Sequence, residues 1–170
     1  MGNFQIYPVQ LTQGIVAISP MPGRAGSFSS DMVTLLEWQP TLVLTMTTMA
    51  ELNRAGATDL GDVLQQAGVA WRHLPVEDFG VPANQTLNAW PKAAELAHQI
   101  LTNNGRVLAH CWGGNGRSGM AALRLILESG MEPSKALPRL RAIRPKAVET
   151  DAQKAWAFDF HPQATCCHRT

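Results

Sequence analysis

His110-Cys111-Trp112-Gly113-Gly114-Asn115-Gly116-Arg117-Ser118-Gly119 decides the reading of this chain. Five residues separate Cys111 from Arg117, and three of them are glycine. Before the run, Gly105-Arg106-Val107-Leu108-Ala109-His110 follows the turn signal Asn103-Asn104 and suits a short buried strand. After it, Met120-Ala121-Ala122-Leu123-Arg124-Leu125-Ile126-Leu127 is a strong helix former that stops near Gly130. A glycine-rich turn between strand and helix directs backbone N–H groups into a nest for an oxyanion. The helix adds the positive end of its dipole. A cysteine in that field is favoured as thiolate, the nucleophilic form of the residue. The alternative is a structural cysteine in a glycine-rich turn, and the strand–turn–helix frame argues against it.

Strands and helices alternate outward from this loop. Strands are expected at 15–18, 41–46, 69–74 and 106–110. Helices are expected at 30–38, 59–67, 86–103 and 117–129, with two more at 134–143 and 151–160. The alternation predicts an α/β domain, a central and largely parallel sheet with helices on both faces. Pro91 predicts a kink or a helix start within 86–103. Ligands of such sheets gather at the carboxyl ends of the strands, where Cys111 lies.

The bulk properties set limits. The chain has 170 residues, 45% of them hydrophobic and 16% charged, which fits one globular domain over 1–170 with a terminal tail from about residue 162. A net charge of +1 favours neither nucleic acid nor an anionic membrane surface as partner. No apolar run approaches the roughly 20 residues of a spanning helix, so a cytoplasmic monomer is expected. Three cysteines make a disulfide framework unsuited. Cys166 and Cys167, with His161 and His168, match no standard zinc spacing, so no metal or other cofactor is expected. A resolving role for a tail thiol toward oxidised Cys111 is an alternative to a plain terminal tail.

At residues 110–118 the chain resembles the cysteine-dependent protein tyrosine phosphatases, whose signature is His-Cys-x5-Arg-Ser/Thr. It is most similar to the kinase-associated branch of the dual-specificity phosphatases. The order of Leu42-Val43-Leu44-Thr45-Met46-Thr47, Glu51-Leu52 and His73-Leu74-Pro75-Val76-Glu77-Asp78 is that branch's order, and the resemblance runs from about Ile15 to Trp156. It implies a tyrosine-phosphatase-like fold and a metal-independent phosphate monoester hydrolase with a phosphocysteine intermediate. Phosphotyrosine, and phosphoserine or phosphothreonine, in proteins are the implied substrates.

Cys111 is then the nucleophile, and Arg117 a planar fork for two phosphate oxygens. Trp112, Gly113, Gly114, Asn115, Gly116 and Arg117 supply the phosphate-binding amides. The proton donor must come from elsewhere. Val76-Glu77-Asp78-Phe79-Gly80-Val81-Pro82 resembles the family's general-acid loop, and the match selects Asp78. Val76 and Glu77 replace the tryptophan and proline usual there. Glu77 is a rival donor, and two solvated loop charges are the plain alternative. By resemblance Ser118 hydrogen-bonds the sulfur and helps it leave, although serine also suits a first helical turn. His110 orients the loop by resemblance, or is simply a satisfied core histidine. Asn115 either braces the loop or points outward.

Thr150-Asp151-Ala152-Gln153 fits a capping box. Within Arg-Pro-x-Ala-x-Glu-Thr-x-x-Gln, residues 144–153, it also matches the family segment beside the catalytic loop, where some relatives use the glutamine to position water. Arg24 either lines the entrance or is a solvated loop charge. The absence of lysine after Cys111 disfavours inositol lipids as substrate. The same loop would also serve a phosphatase of small phosphate esters, a phosphate-binding module without turnover, or an arsenate reductase drawing on Cys166 and Cys167.

Overall fold

The computed structural model describes residues 4–160, so Cys166, Cys167, His161 and His168 lie outside the described residues. Five strands form one sheet: β1 (Tyr7–Gln10), β2 (Ile15–Pro20), β3 (Leu42–Thr45), β4 (Ala70–His73) and β5 (Arg106–Cys111), in the order β1-β2-β5-β3-β4. β1 runs antiparallel to β2, and the other pairings are parallel. Among the described residues seven helices accompany them: α1 (Phe28–Glu37), α2 (Met49–Arg54), α3 (Leu60–Gln66), α4 (Asn84–Thr102), α5 (Gly116–Glu128), α6 (Pro133–Ile143) and α7 (Asp151–Phe158). The expected α/β architecture is present, and the order of expected elements is the order observed.

The period of two along each strand sends alternate side chains to opposite faces. Val16, Ile18, Leu42, Leu44, Val107 and Ala109 join the core under α4, α5, α6 and α7. Ala17, Val43 and Leu108 face the smaller core under α1, α2 and α3. Both faces are therefore covered, which is why β3 and β5 read as nearly unbroken apolar runs. Truncating a residue such as Leu108 to alanine in such a core typically costs about 2–5 kcal/mol.

Three features differ from expectation. β1 is a short edge strand whose Pro8 lacks a ladder donor, and edge strands tolerate that loss. α2 spans only one and a half turns and is held by a capping box between Thr48 and Glu51. α4 begins at Asn84 and continues through Pro91, so the proline does not start the helix. The order of strands places β5 between β2 and β3, and its carboxyl end points Cys111 among the loops that follow β2, β3 and β4.

Candidate active site

The loop after β5 is shaped by what its carbonyls bind. Trp112 O accepts from Met21 N at 3.4 Å, and Asn115 O accepts from Gly119 N at 3.0 Å and Val148 N at 3.2 Å. Arg144 spans the middle, donating from Nη2 to Gly113 O at 3.0 Å and from Nε to Gly114 O at 3.1 Å. With its carbonyls held by these outer donors, the loop has its peptide N–H groups free for the opposite, inner side. Gly114 has φ +66, and a Cβ there would lie 2.5 Å from Pro20 N, so glycine is needed twice over. Asn115 braces the loop through Nδ2 to Gly113 O at 3.3 Å.

Cys111 is buried, with Sγ 3.2 Å from Ser118 Oγ in the first turn of α5. Arg117, 1% exposed, is the most constrained residue of the site. Its Nη1 and Nη2 each donate to the Glu51 carboxylate at 2.7 Å, and Nη1 also donates to Val76 O at 2.9 Å. Nη2 lies 3.1 Å from Asp78 Oδ1. Burial opposes the charge on Arg117, but the Glu51 hydrogen bonds, the Cys111 sulfur and the Asp78 carboxylate outweigh it and raise its pKa. Burial likewise pushes the Glu51 carboxyl up, and hydrogen bonds from Arg117 and Thr48 reverse this and leave it lowered. Arg117 Nε, buried, has no acceptor among the described residues. A phosphate oxygen in the nest would satisfy it, as buried donors require.

The loop carrying the candidate acid is tethered at both ends. Val76 N donates to Met46 O at 3.1 Å, and Gln153 Nε2 donates to Gly80 O at 3.1 Å. Asp78 Oδ1 accepts from Phe79 N at 3.2 Å, with Phe79 at φ +58. Asp78 thus turns toward Arg117, while Glu77 is exposed and forms no ion pair among the described residues. Of the two carboxylates, the structure brings only Asp78 to the guanidinium.

His110 is fully buried behind the loop, and Nε2 lies 2.7 Å from Thr45 Oγ1, which also accepts from Trp71 Nε1 at 2.8 Å. Thr45 Oγ1 and His110 Nε2 share one hydrogen bond whose direction follows the ring tautomer, and His110 Nδ1 is buried without a partner among the described residues. Burial, followed by the charges of His73 and Arg117, lowers the His110 pKa to about 3, so the ring is neutral. Gln153 is buried and caps α7: Oε1 accepts from Glu149 N at 3.0 Å and Thr150 N at 3.3 Å. Its amide is engaged at both ends. Cap and tether of the acid loop are therefore the roles its contacts define. Arg24 is exposed on the turn after β2.

Two site residues escape a reading of the sequence. Glu51 carries a visible signal, Thr48-x-x-Glu51, but that signal announces a helix start rather than a partner for Arg117. Arg144 stands in the segment matched to the family, yet nothing in its spacing discloses that it grips the loop.

A parallel-centred sheet with this cysteine loop at the carboxyl end of its middle strand, and an aspartate from the neighbouring loop on its arginine, is the arrangement of the cysteine-dependent phosphatases. Residues 22–130 match the family model described as Tc-R-P, polymorphic toxin system, DSP-PTPase phosphatase. The chain belongs to this dual-specificity and tyrosine phosphatase family. It is 36% identical over 120 residues to cyclin-dependent kinase inhibitor 3 of Mus musculus, covering 69% of this chain and 56% of the mouse protein. It is 32% identical over 116 residues to the Homo sapiens protein of the same name, covering 66% of this chain and 53% of the relative. The chain spans little more than half the length of these relatives. In fold it is similar to kinase associated phosphatase (KAP) crystallised with its catalytic-site cysteine replaced by serine. That match has a TM-score of 0.78 at 24% identity over 92% of this chain and 93% of the other.

Proposed function

We propose that this protein is a metal-independent phosphatase acting on phosphorylated proteins, on phosphotyrosine and on phosphoserine or phosphothreonine, through a phosphocysteine intermediate. The observation that carries the reading is the convergence on Arg117: it follows the cysteine loop, is clamped by Glu51, and meets Asp78 at 3.1 Å. In the first step the Cys111 thiolate attacks phosphorus, the ester P–O bond breaks, and the leaving oxygen takes a proton from Asp78. Arg117 and the amides from Trp112 to Arg117 hold the equatorial oxygens in line. In the second step water attacks phosphorus and yields its proton to Asp78, while the S–P bond breaks. Ser118, 3.2 Å from the sulfur, hydrogen-bonds the departing thiolate. The charge compensation rests on guanidinium, amides and helix dipole, so no cofactor is assigned.

The kinase-associated character of the relatives supports a phosphoprotein substrate. No lysine stands between Cys111 and Arg117 to meet further phosphates of an inositol lipid. No helix among the described residues is long and apolar enough to cross a membrane. Hydrolysis of phenyl phosphate, an aryl ester whose poor leaving group needs the acid, by wild type, Cys111→Ser and Asp78→Asn tests the reading. Cys111→Ser should be inactive, and Asp78→Asn should lose about 10²-fold or more in kcat, as removal of a general acid does. Turnover surviving in Cys111→Ser would overturn the mechanism.

A further inference from the structure

The rim of the cysteine loop is electrically lopsided. On the β4 side stand the carboxylates of Asp78 and the exposed Glu77. On the β2 side stand two arginines, Arg54 and Arg24, both exposed. Arg54 closes α2, one turn after Glu51, so the two residues share a helix face. Glu51 fixes that face against Arg117, and Arg54 consequently reaches the far end of the loop. Its guanidinium carbon lies 4.5 Å from the centre of the Trp112 ring, the residue directly after the nucleophile. The turn bearing Arg24 is tied to the same place: Met21 N donates to Trp112 O, and a Cβ on Gly23 would lie 2.8 Å from Ala55 O. Neither arginine forms an ion pair among the described residues. The nearby Asp31 carboxylate accepts from Gly23 N at 2.8 Å and braces the turn.

We infer that Arg54 is a specificity-determining residue, and that the site prefers phosphopeptides carrying an aspartate or glutamate beside the phosphorylated residue. This rests on the phosphatase reading above. The cation–π contact with Trp112 already restrains the long side chain, so less rotamer freedom remains to be lost when a carboxylate arrives. The Arg54 guanidinium, placed over the indole, has no hydrogen bond or ion pair to a side chain among the described residues, so its N–H groups remain available for that carboxylate. The carboxylates on the β4 side repel acids there, so the preference is directional: one flank of the phosphoresidue and not the other.

The test compares a small aryl phosphate with three phosphotyrosine peptides of one length, flanked by acidic, neutral or basic residues, in wild type, Arg54→Ala and Arg54→Glu. Wild type should favour the acidic peptide over the neutral one by about fivefold in kcat/KM at low ionic strength, the scale of one exposed ion pair. The advantage should lie in KM and shrink with salt. Arg54→Ala should abolish it, and Arg54→Glu should reverse it toward the basic peptide, which a merely structural arginine would not do. Aryl phosphate turnover should stay unchanged in both variants. If wild type hydrolyses the aryl phosphate but shows no acidic preference, or Arg54→Glu retains that preference, the inference is overturned and the phosphatase reading stands. If wild type fails on every ester, both fall.

Discussion

His110 carries a pH dependence that its neighbours dictate. A histidine buried at this depth is neutral when folded, with its pKa lowered to about 3, whereas the unfolded chain titrates near the ordinary 6.5. A depressed folded pKa means that the unfolded state binds the extra proton between these limits, so stability falls as pH falls through that window. The loss from this residue between pH 6.5 and pH 5 amounts to about 1.6 kcal/mol, because the slope is half-engaged at pH 6.5 and rises to about 1.4 kcal/mol per pH unit below it. Carboxylates with ordinary pKa values titrate little in that interval, so the comparison isolates histidine. Urea unfolding of wild type and His110→Asn at both pH values should show the wild type losing about 1.6 kcal/mol more than the variant. An imidazole of His110 that titrates near pH 6 by NMR would refute the assignment. At this scale the sequence was most legible where chemistry demands a residue type: Cys111, Arg117, Ser118 and Asp78 meet as their motif implies. Glu51 was not legible, because a glutamate three residues after a threonine serves a helix cap equally well, and only the tertiary approach of α2 reveals the second use of its carboxylate.

Among the elements, α7 does most to hold the acid loop. Its first turn is closed by Thr150 and Gln153, and the glutamine reaches on to Gly80 O at 3.1 Å. Cap and tether therefore share one side chain. Gln153→Ala should cost about 1 kcal/mol of stability through the lost cap, and release the loop that carries Asp78. Gln153→Glu keeps an oxygen for the amides of Glu149 and Thr150 but loses the N–H for Gly80, so it separates the two roles. In both variants kcat should fall for esters with poor leaving groups, which need Asp78, and change little for p-nitrophenyl phosphate-like esters with good ones. Equal loss on both kinds of ester would show that Gln153 acts on the nucleophile's side instead. Long elements were readable because α4 and α5 repeat their apolar faces over several turns. β1 and α2, with four and six residues, are too short to show a period. They exist because β2 offers an edge and Arg117 offers an anchor, which are facts of tertiary structure.

Across the whole molecule, Arg144 connects parts of the chain that the sheet alone would leave independent. It follows α6, stacks 4.3 Å from the Tyr7 ring centre, donates to Tyr7 Oη at 2.8 Å, and grips Gly113 and Gly114. The edge strand β1 thereby braces the phosphate loop from outside the site. The consequence is a separable effect on stability and on anion affinity. Tyr7→Phe keeps the aromatic face but loses the hydrogen bond from the charged Arg144 and an exposed one to Gln5 Oε1, so it should cost about 1–2 kcal/mol in urea unfolding and leave inorganic phosphate affinity intact. Arg144→Ala removes the donors to both loop carbonyls. Those peptides are then free to rotate, and the inward amides lose their fixed aim, so phosphate should bind several-fold more weakly in addition to a stability loss of about 2–3 kcal/mol. Arg144→Lys offers one point charge in place of the planar fork and should recover stability better than affinity. Phosphate-induced shifts in Tm for the three variants measure this directly. If Arg144→Ala bound phosphate as tightly as wild type while being less stable, Arg144 would be a structural clamp with no part in shaping the loop.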